Sequence, residues 1–340
     1  MRRFSSLAAV VAIVALLAGF LPLPAAHGQA YNAQPKLVVI VVIDQFRGDY
    51  LQRYRSEFKG RGFRLLMDEG AWFPDCYYNY ANTKTAPGHA TIGTGAYTDG
   101  HGIESNEWWD AARSYEHRVS SVEDERYSLV DLPAGSAATP GASPRSLRAS
   151  TLGDELRLAT QGKSRVFGVS LKDRAAILPP GQAANGAFWL DDASGHFTTS
   201  TYYMEHLPEW AAAFNNGGPL AEAAKEAGVD GKGRFSEQVE TTPVANHFQL
   251  DFTQALITGE KLGQGPTTDL LTVSLSAHDL VGHKYGPDSE EEHQMVLGLD
   301  RDLDRFLAGW IRRWGSRMSG SLFRQIMGLR RYQRWLPGLA

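Results

Sequence analysis

The chain has 340 residues, 43% hydrophobic and 21% charged, enough apolar material for one large α/β domain or two modest ones, which excludes disorder as its main state. A formal net charge of -4 is small for this length and gives no general attraction to nucleic acid or to acidic membranes. The single cysteine, Cys76, has no partner for an internal disulfide and no histidine at metal spacing, so it is expected to be a small buried residue.

Arg2 and Arg3 precede an apolar run from Leu7 to Leu21 that Pro22 and Pro24 break, and Gly28-Gln29-Ala30 places small residues where a signal peptidase reads. Residues 1–30 are therefore expected to be a secretory signal. A membrane anchor fits less well, because the run is short for a bilayer span and its exit is rich in proline and alanine. The expectation is an exported protein, periplasmic or secreted, without a stable membrane anchor.

Lys36 to Ile43 is a continuous β-branched run of the kind expected for a strand buried on both faces, with helical spacing from Gln45 onward. The pattern recurs at Arg165 to Leu171 and at Leu270 to Leu275. Asp131 to Ser146 reads as a Pro/Gly/Ala/Ser-rich loop before a helix capped by Ser150 or Thr151. Phe188 to Tyr203 suggests a hairpin around Ala193-Ser194-Gly195, and residues 187–250 together read as an inserted cap over the sheet edge. Glu290-Glu291-Glu292 is expected to be a solvated helix face. The fold class is α/β, with a largely parallel sheet whose strand ends gather polar residues at one edge, where such folds bind ligands.

Those strand ends carry the candidate chemistry. Asp44 ends the first strand, Lys172-Asp173-Arg174 the second, and Ser276-Ala277-His278-Asp279 the third. Thr85 precedes Ala86-Pro87-Gly88, a sequence suited to a helix start, where free N–H groups face an anion. Asp279 and His283, four apart, share one side of a helical turn and suit a cation. Lys172 and Arg174, two apart, can clamp phosphate oxygens together. Each of these also has a structural use, as helix cap or solvated pair.

Taken in order, Asp44, Thr85-Ala86-Pro87-Gly88-His89, His101-Gly102-Ile103 with Asn106-Glu107-Trp108, Lys172-Asp173-Arg174, and Asp279-Leu280-Val281-Gly282-His283 with Gly286-Pro287 resemble the alkaline phosphatase superfamily. The resemblance lies in its nucleotide pyrophosphatase/phosphodiesterase branch, near the secreted bacterial phosphatases that use threonine, and runs from about Lys36 to Arg305. It implies an alkaline-phosphatase-like fold with helices on both faces of the sheet, and two Zn²⁺ ions per chain. It implies Asp44 and Thr85 as ligands of one zinc, Asp279 and His283 as ligands of the other, and Asn106, Lys172 and Arg174 as phosphate contacts. Attack by Thr85 would give a phosphothreonine intermediate that zinc-bound hydroxide hydrolyses. The Lys-Arg pair favours monoesters over the alternative, a nucleotide pyrophosphatase/phosphodiesterase. The implied partners are small phosphate esters, with no nucleic acid.

The chain departs from the family pattern after about residue 310. No Asp-His pair on a later strand and no final histidine follow, and Ile311 to Ala340 carries seven arginines with Trp314 and Trp335. The catalytic domain is expected to span 31–310 without its C-terminal strands. Residues 311–340 are expected to be a frameshifted or otherwise aberrant tail, in preference to a basic amphipathic helix. A weakly active enzyme or an inactive phosphate-binding pseudo-enzyme are both expected outcomes.

Overall fold

The computed structural model describes residues 35–114, 116–133, 140–229 and 234–314. The expected secretory signal and the tail from 315 onward lie outside them. Among the described residues no helix is long and apolar enough to cross a membrane.

Five strands form the central sheet: β1 (Leu37–Ile43), β2 (Val166–Ser170), β3 (Gly186–Leu190), β4 (Phe197–Thr198) and β5 (Asp269–Leu275). Their spatial order is β1-β5-β2-β3-β4, parallel except for β4, which runs antiparallel to β3. The register decides where the chemistry sits. Ile43 pairs with Leu275 and Ser170 with Ser274, so Asp44, Ser276 and Lys172 all leave the sheet at one edge.

β-branched residues suit these strands because each buries side chains on both faces. Val39, Val41, Ile43, Val169 and Val273 meet a cluster that includes Phe248 and Phe252 of α4 (Val244–Gly259) and Val296 and Leu299 of α6 (Glu290–Trp314). Ile40, Val42, Val166 and Leu270 face the other way, toward Ile92 of α1 (Thr85–Thr94) and Leu156 of α2 (Leu152–Ala159). Each such side chain contributes about 1.5–3 kcal/mol on burial.

Gly168 has a positional reason. A Cβ at this strand position would run into the Ala176 carbonyl and Pro180, so only glycine lets α3 (Asp173–Ile177) fold back closely on β2. That tight return is what holds Lys172 and Arg174 at the sheet edge.

Several expectations change. The hairpin at 188–203 forms, but as the outer strands β3 and β4 of the sheet, so residues 187–198 belong to the sheet and not to an added cap. The loop expected over 131–146 contains the strand Pro140–Ala142, paired antiparallel with Glu123–Ser128. Thr151 caps α2 in a reciprocal box with Asp154. Cys76 is exposed, not buried, because its segment lies outside the core. Glu292 is buried rather than solvated, because it meets His278 inside the molecule, while Glu290 and Glu291 are exposed.

Candidate active site

Thr85 is the first residue of α1, with Lys84 at the N-cap and Pro87 inside the first turn, where a missing N–H costs nothing. Its Oγ1 donates to Asp44 Oδ2 at 3.0 Å, a contact between two buried side chains brought from 41 residues apart. Behind it, His89 Nδ1 lies 2.7 Å from the Thr85 carbonyl oxygen and Nε2 lies 2.6 Å from Ser274 Oγ. A carbonyl only accepts, so Nδ1 carries the hydrogen and Nε2 accepts from the serine. Burial pushes the His89 pKa down against the pull of Asp44, which keeps the ring neutral and suited to both bonds. His89 thus ties the first turn of α1 to β5. The sequence reading gave it no role; its position four residues after Thr85, on the same helix face, was the available signal.

Lys172 is the N-cap residue of α3. Its ammonium touches two carboxylates, Asp279 Oδ2 at 2.6 Å and Asp44 Oδ2 at 3.5 Å, with the lysine side chain only 12% exposed. Asp279 lies in the first turn of α5 (Ala277–Tyr285), and His283 Nε2, one turn on, lies 3.4 Å from Asp279 Oδ1. His283 is largely exposed. Thr85, Asp44, Lys172, Asp279 and His283 therefore form one connected group.

Asn106 joins from the loop side. Its Oδ1 accepts the Ala86 N–H at 2.8 Å. This alters the expected anion site: the Ala86 N–H is taken and Pro87 has none, so the helix start offers fewer donors than its sequence suggested. Asn106 keeps its amide NH₂ for a ligand, and it shares a cavity of about 350 Å³ with Arg174. The Arg174 guanidinium leans on Asp173 at 3.4 Å, while its Nε is buried without an acceptor among the described residues.

A pair of carboxylates, a hydroxyl and an imidazole are the donor types that divalent zinc takes. Asp44 with Thr85, and Asp279 with His283, fit such ions by chemistry. Among the described residues, however, no three of His, Cys, Asp and Glu gather into a cation-sized group. Each pair alone supplies two of the three protein ligands usual for a catalytic zinc.

The chain belongs to the family of type I phosphodiesterases and nucleotide pyrophosphatases, whose profile it matches over residues 38–316. Among its relatives, the alkaline phosphatase PhoV of Synechococcus elongatus is 39% identical over 81% of this chain and 55% of its own length. The alkaline phosphatase PafA of Elizabethkingia meningoseptica is 37% identical over 80% of this chain and 56% of its own. The crystal structure of PafA superposes with a TM-score of 0.75 at 36% identity, covering 83% of this chain and 61% of that one. The chain thus spans a little over half the length of the curated relatives it matches. A further structure of PafA carries substitutions at a threonine, an asparagine, a lysine and an arginine.

Proposed function

We propose that this chain hydrolyses small phosphate monoesters, with Thr85 as nucleophile and the phosphate held by Asn106, Lys172 and Arg174. The observation that carries the reading is the buried Thr85–Asp44 contact beside the Lys172 ammonium, at the sheet edge where α/β folds place ligands. Thr85 Oγ1 forms the new bond to phosphorus while the ester oxygen departs, and Asp44 orients the attacking oxygen by accepting its hydrogen. Lys172, Arg174 and the Asn106 amide neutralise charge on the phosphoryl oxygens as that transfer proceeds. Two zinc ions, held by Asp44 with Thr85 and by Asp279 with His283, would supply Lewis-acid stabilisation of the attacking and leaving oxygens.

A monoester is preferred over a diester because two cations two residues apart match a dianionic group, and because PhoV and PafA, each matched over about 80% of this chain, are named alkaline phosphatases. The four residue types substituted in the PafA variant are the same types, in the same chain order, as Thr85, Asn106, Lys172 and Arg174 here, which supports the assignment. Export through an N-terminal signal remains part of the proposal and is checked by sequencing the N-terminus of the mature protein.

The direct test is phosphate release from an aryl phosphate in the presence of zinc. Thr85→Ala should reduce the rate by about a thousandfold or more, and Thr85→Ser should retain part of it. Undiminished hydrolysis by Thr85→Ala would remove Thr85 from the reaction.

A further inference from the structure

His101 makes no hydrogen bond to Thr85, Lys172 or Arg174 among the described residues, yet it is wholly buried against α1. It ends a short helical turn, Thr98–His101, and Gly102 follows in the left-handed conformation at φ 76°. The Ile103 backbone N–H donates to His101 Nδ1 at 3.0 Å, and His101 Nε2 lies 3.1 Å from Thr91 Oγ1 on α1. A backbone N–H only donates, so Nδ1 is the bare nitrogen and Nε2 carries the hydrogen, which it gives to the Thr91 hydroxyl. Burial pushes the His101 pKa down against the pull of Asp99, which favours this neutral ring. Ile103, also wholly buried, packs in one cluster with Ala86 and Ala90 of α1. The Glu104 carbonyl accepts from the Asn82 amide, and Asn106 Oδ1 accepts the Ala86 N–H at 2.8 Å. Contacts at residues 101, 103, 104 and 106 thus tie this loop to α1 and to the segment that leads into it. Only Glu104 and Ser105 separate Ile103 from Asn106, so little slack lies between the histidine's anchor and the amide that shares a cavity with Arg174.

We propose that His101 is a positioning residue for phosphate binding: by bridging Ile103 to Thr91 it sets the loop that carries Asn106 before any ligand arrives. The inference rests on the phosphate reading above, in which the Asn106 amide contacts the phosphoryl oxygens. The reason for a histidine is geometric. One rigid neutral imidazole accepts on one side and donates on the other, so it joins a backbone N–H to a helix hydroxyl without a flexible stem. Asparagine is able to keep the turn bond to Ile103 but is too short to reach Thr91 as well. Glutamine has both an acceptor and a donor but adds a rotatable bond. Such pre-setting matters because a misplacement of about 1 Å in a catalytic site costs on the order of a hundredfold.

The experiment is a calorimetric titration of inorganic phosphate into the full-length chain in the presence of zinc, comparing Thr91→Val, His101→Gln, His101→Asn and Asn106→Ala. Thr91→Val is the gentlest change, since it keeps the shape and removes only the hydroxyl that His101 holds. It should weaken phosphate binding about fivefold, His101→Asn about tenfold, and His101→Gln less than His101→Asn. Pairing with Asn106 separates positioning from a general loss of stability. Asn106→Ala should weaken phosphate about tenfold, and adding Thr91→Val to it should cost no more than about twofold further, because the amide that the histidine positions is already gone. Losses that multiply would overturn the proposal and leave the phosphate site standing. So would unchanged phosphate affinity in both Thr91→Val and His101→Asn. Nitrogen-15 spectra of the histidine rings supply a readout that needs no ligand. His101, assigned by its absence from the His101→Gln spectrum, should show a bare Nδ1 and a protonated Nε2 at neutral pH, and the opposite tautomer or a charged ring would also overturn the proposal. If inorganic phosphate does not bind the unsubstituted chain, the phosphate reading fails and the positioning role falls with it.

Discussion

Lys172 and Arg174 approach the site differently, the ammonium wedged between Asp279 and Asp44 and the guanidinium resting on Asp173, its Nε without an acceptor among the described residues. Both charges count for more against a dianionic monoester than against a monoanionic diester. Replacing both by alanine should therefore lower kcat/KM for the monoester by about tenfold more than for the diester. Equal losses on the two would remove the basis for preferring monoesters. Glu240 supplies a pH test. Burial and the nearby Asp192 push its pKa up to about 7, against the pull of Lys172 and Arg174, from an ordinary 4.5. A raised pKa means that the folded chain binds the proton more tightly than the unfolded one. The stabilisation is full below about 4.5 and is lost as pH rises through about 7. Urea midpoints should fall between pH 5 and pH 8, and Glu240→Gln should flatten that change; an equally steep fall in the variant would show that other groups cause it.

At the scale of elements, the site depends on how α5 and α6 are held to the sheet. His278 Nδ1 lies 2.9 Å from Glu292 Oε1, both side chains almost wholly buried, and the imidazole meets the edge of Phe46. Asp300 of α6 accepts from the backbone N–H groups of Lys59 and Phe63, at 2.6 and 2.8 Å. Glu292→Ala would leave His278 without its partner one residue from Asp279, at a cost of about 1–3 kcal/mol, and Glu292→Gln should recover part of it. Chemical denaturation checks this, and an unchanged midpoint in Glu292→Ala would mean that the pair holds nothing. This contact also marks where the sequence stopped being readable. The strands Leu37–Ile43, Val166–Ser170 and Asp269–Leu275 were legible because burial on both faces demands continuous apolar runs, a local signature. Glu292 sits in a run of three acids that looks solvated, and only the long-range approach of α6 to α5 decides which of the three turns inward. The same holds for the site: Thr85, Asp44 and Lys172 were legible by type and position, whereas the Asn106 bond that occupies the Ala86 N–H is a loop-to-helix contact with no local signal. Residues 187–198 misled because a strand joining the sheet at its outer edge and a hairpin covering it have the same alternation.

For the molecule as a whole, the decisive quantity is how strongly it retains metal. The described residues bring two donors to each proposed cation, Asp44 with Thr85 and Asp279 with His283, and gather no third histidine, cysteine or carboxylate around either. Residues 315–340 contain none of these residue types. A zinc ion with three protein ligands and an exchangeable fourth position is held through dialysis; one with two is held loosely. The 340-residue chain should therefore retain well under two zinc ions after dialysis, measured by elemental analysis. Added zinc should still bind the folded state preferentially, because Asp44 and Asp279 come together only there, and so should raise the melting temperature in a concentration-dependent way. Lys172 already pairs with both carboxylates, at 2.6 Å from Asp279 and 3.5 Å from Asp44, so zinc has to displace an ammonium, which lowers its affinity further. Retention of two zinc ions per chain after dialysis would show that ligands beyond these four complete the site, and a melting temperature indifferent to zinc would show that these four do not bind it.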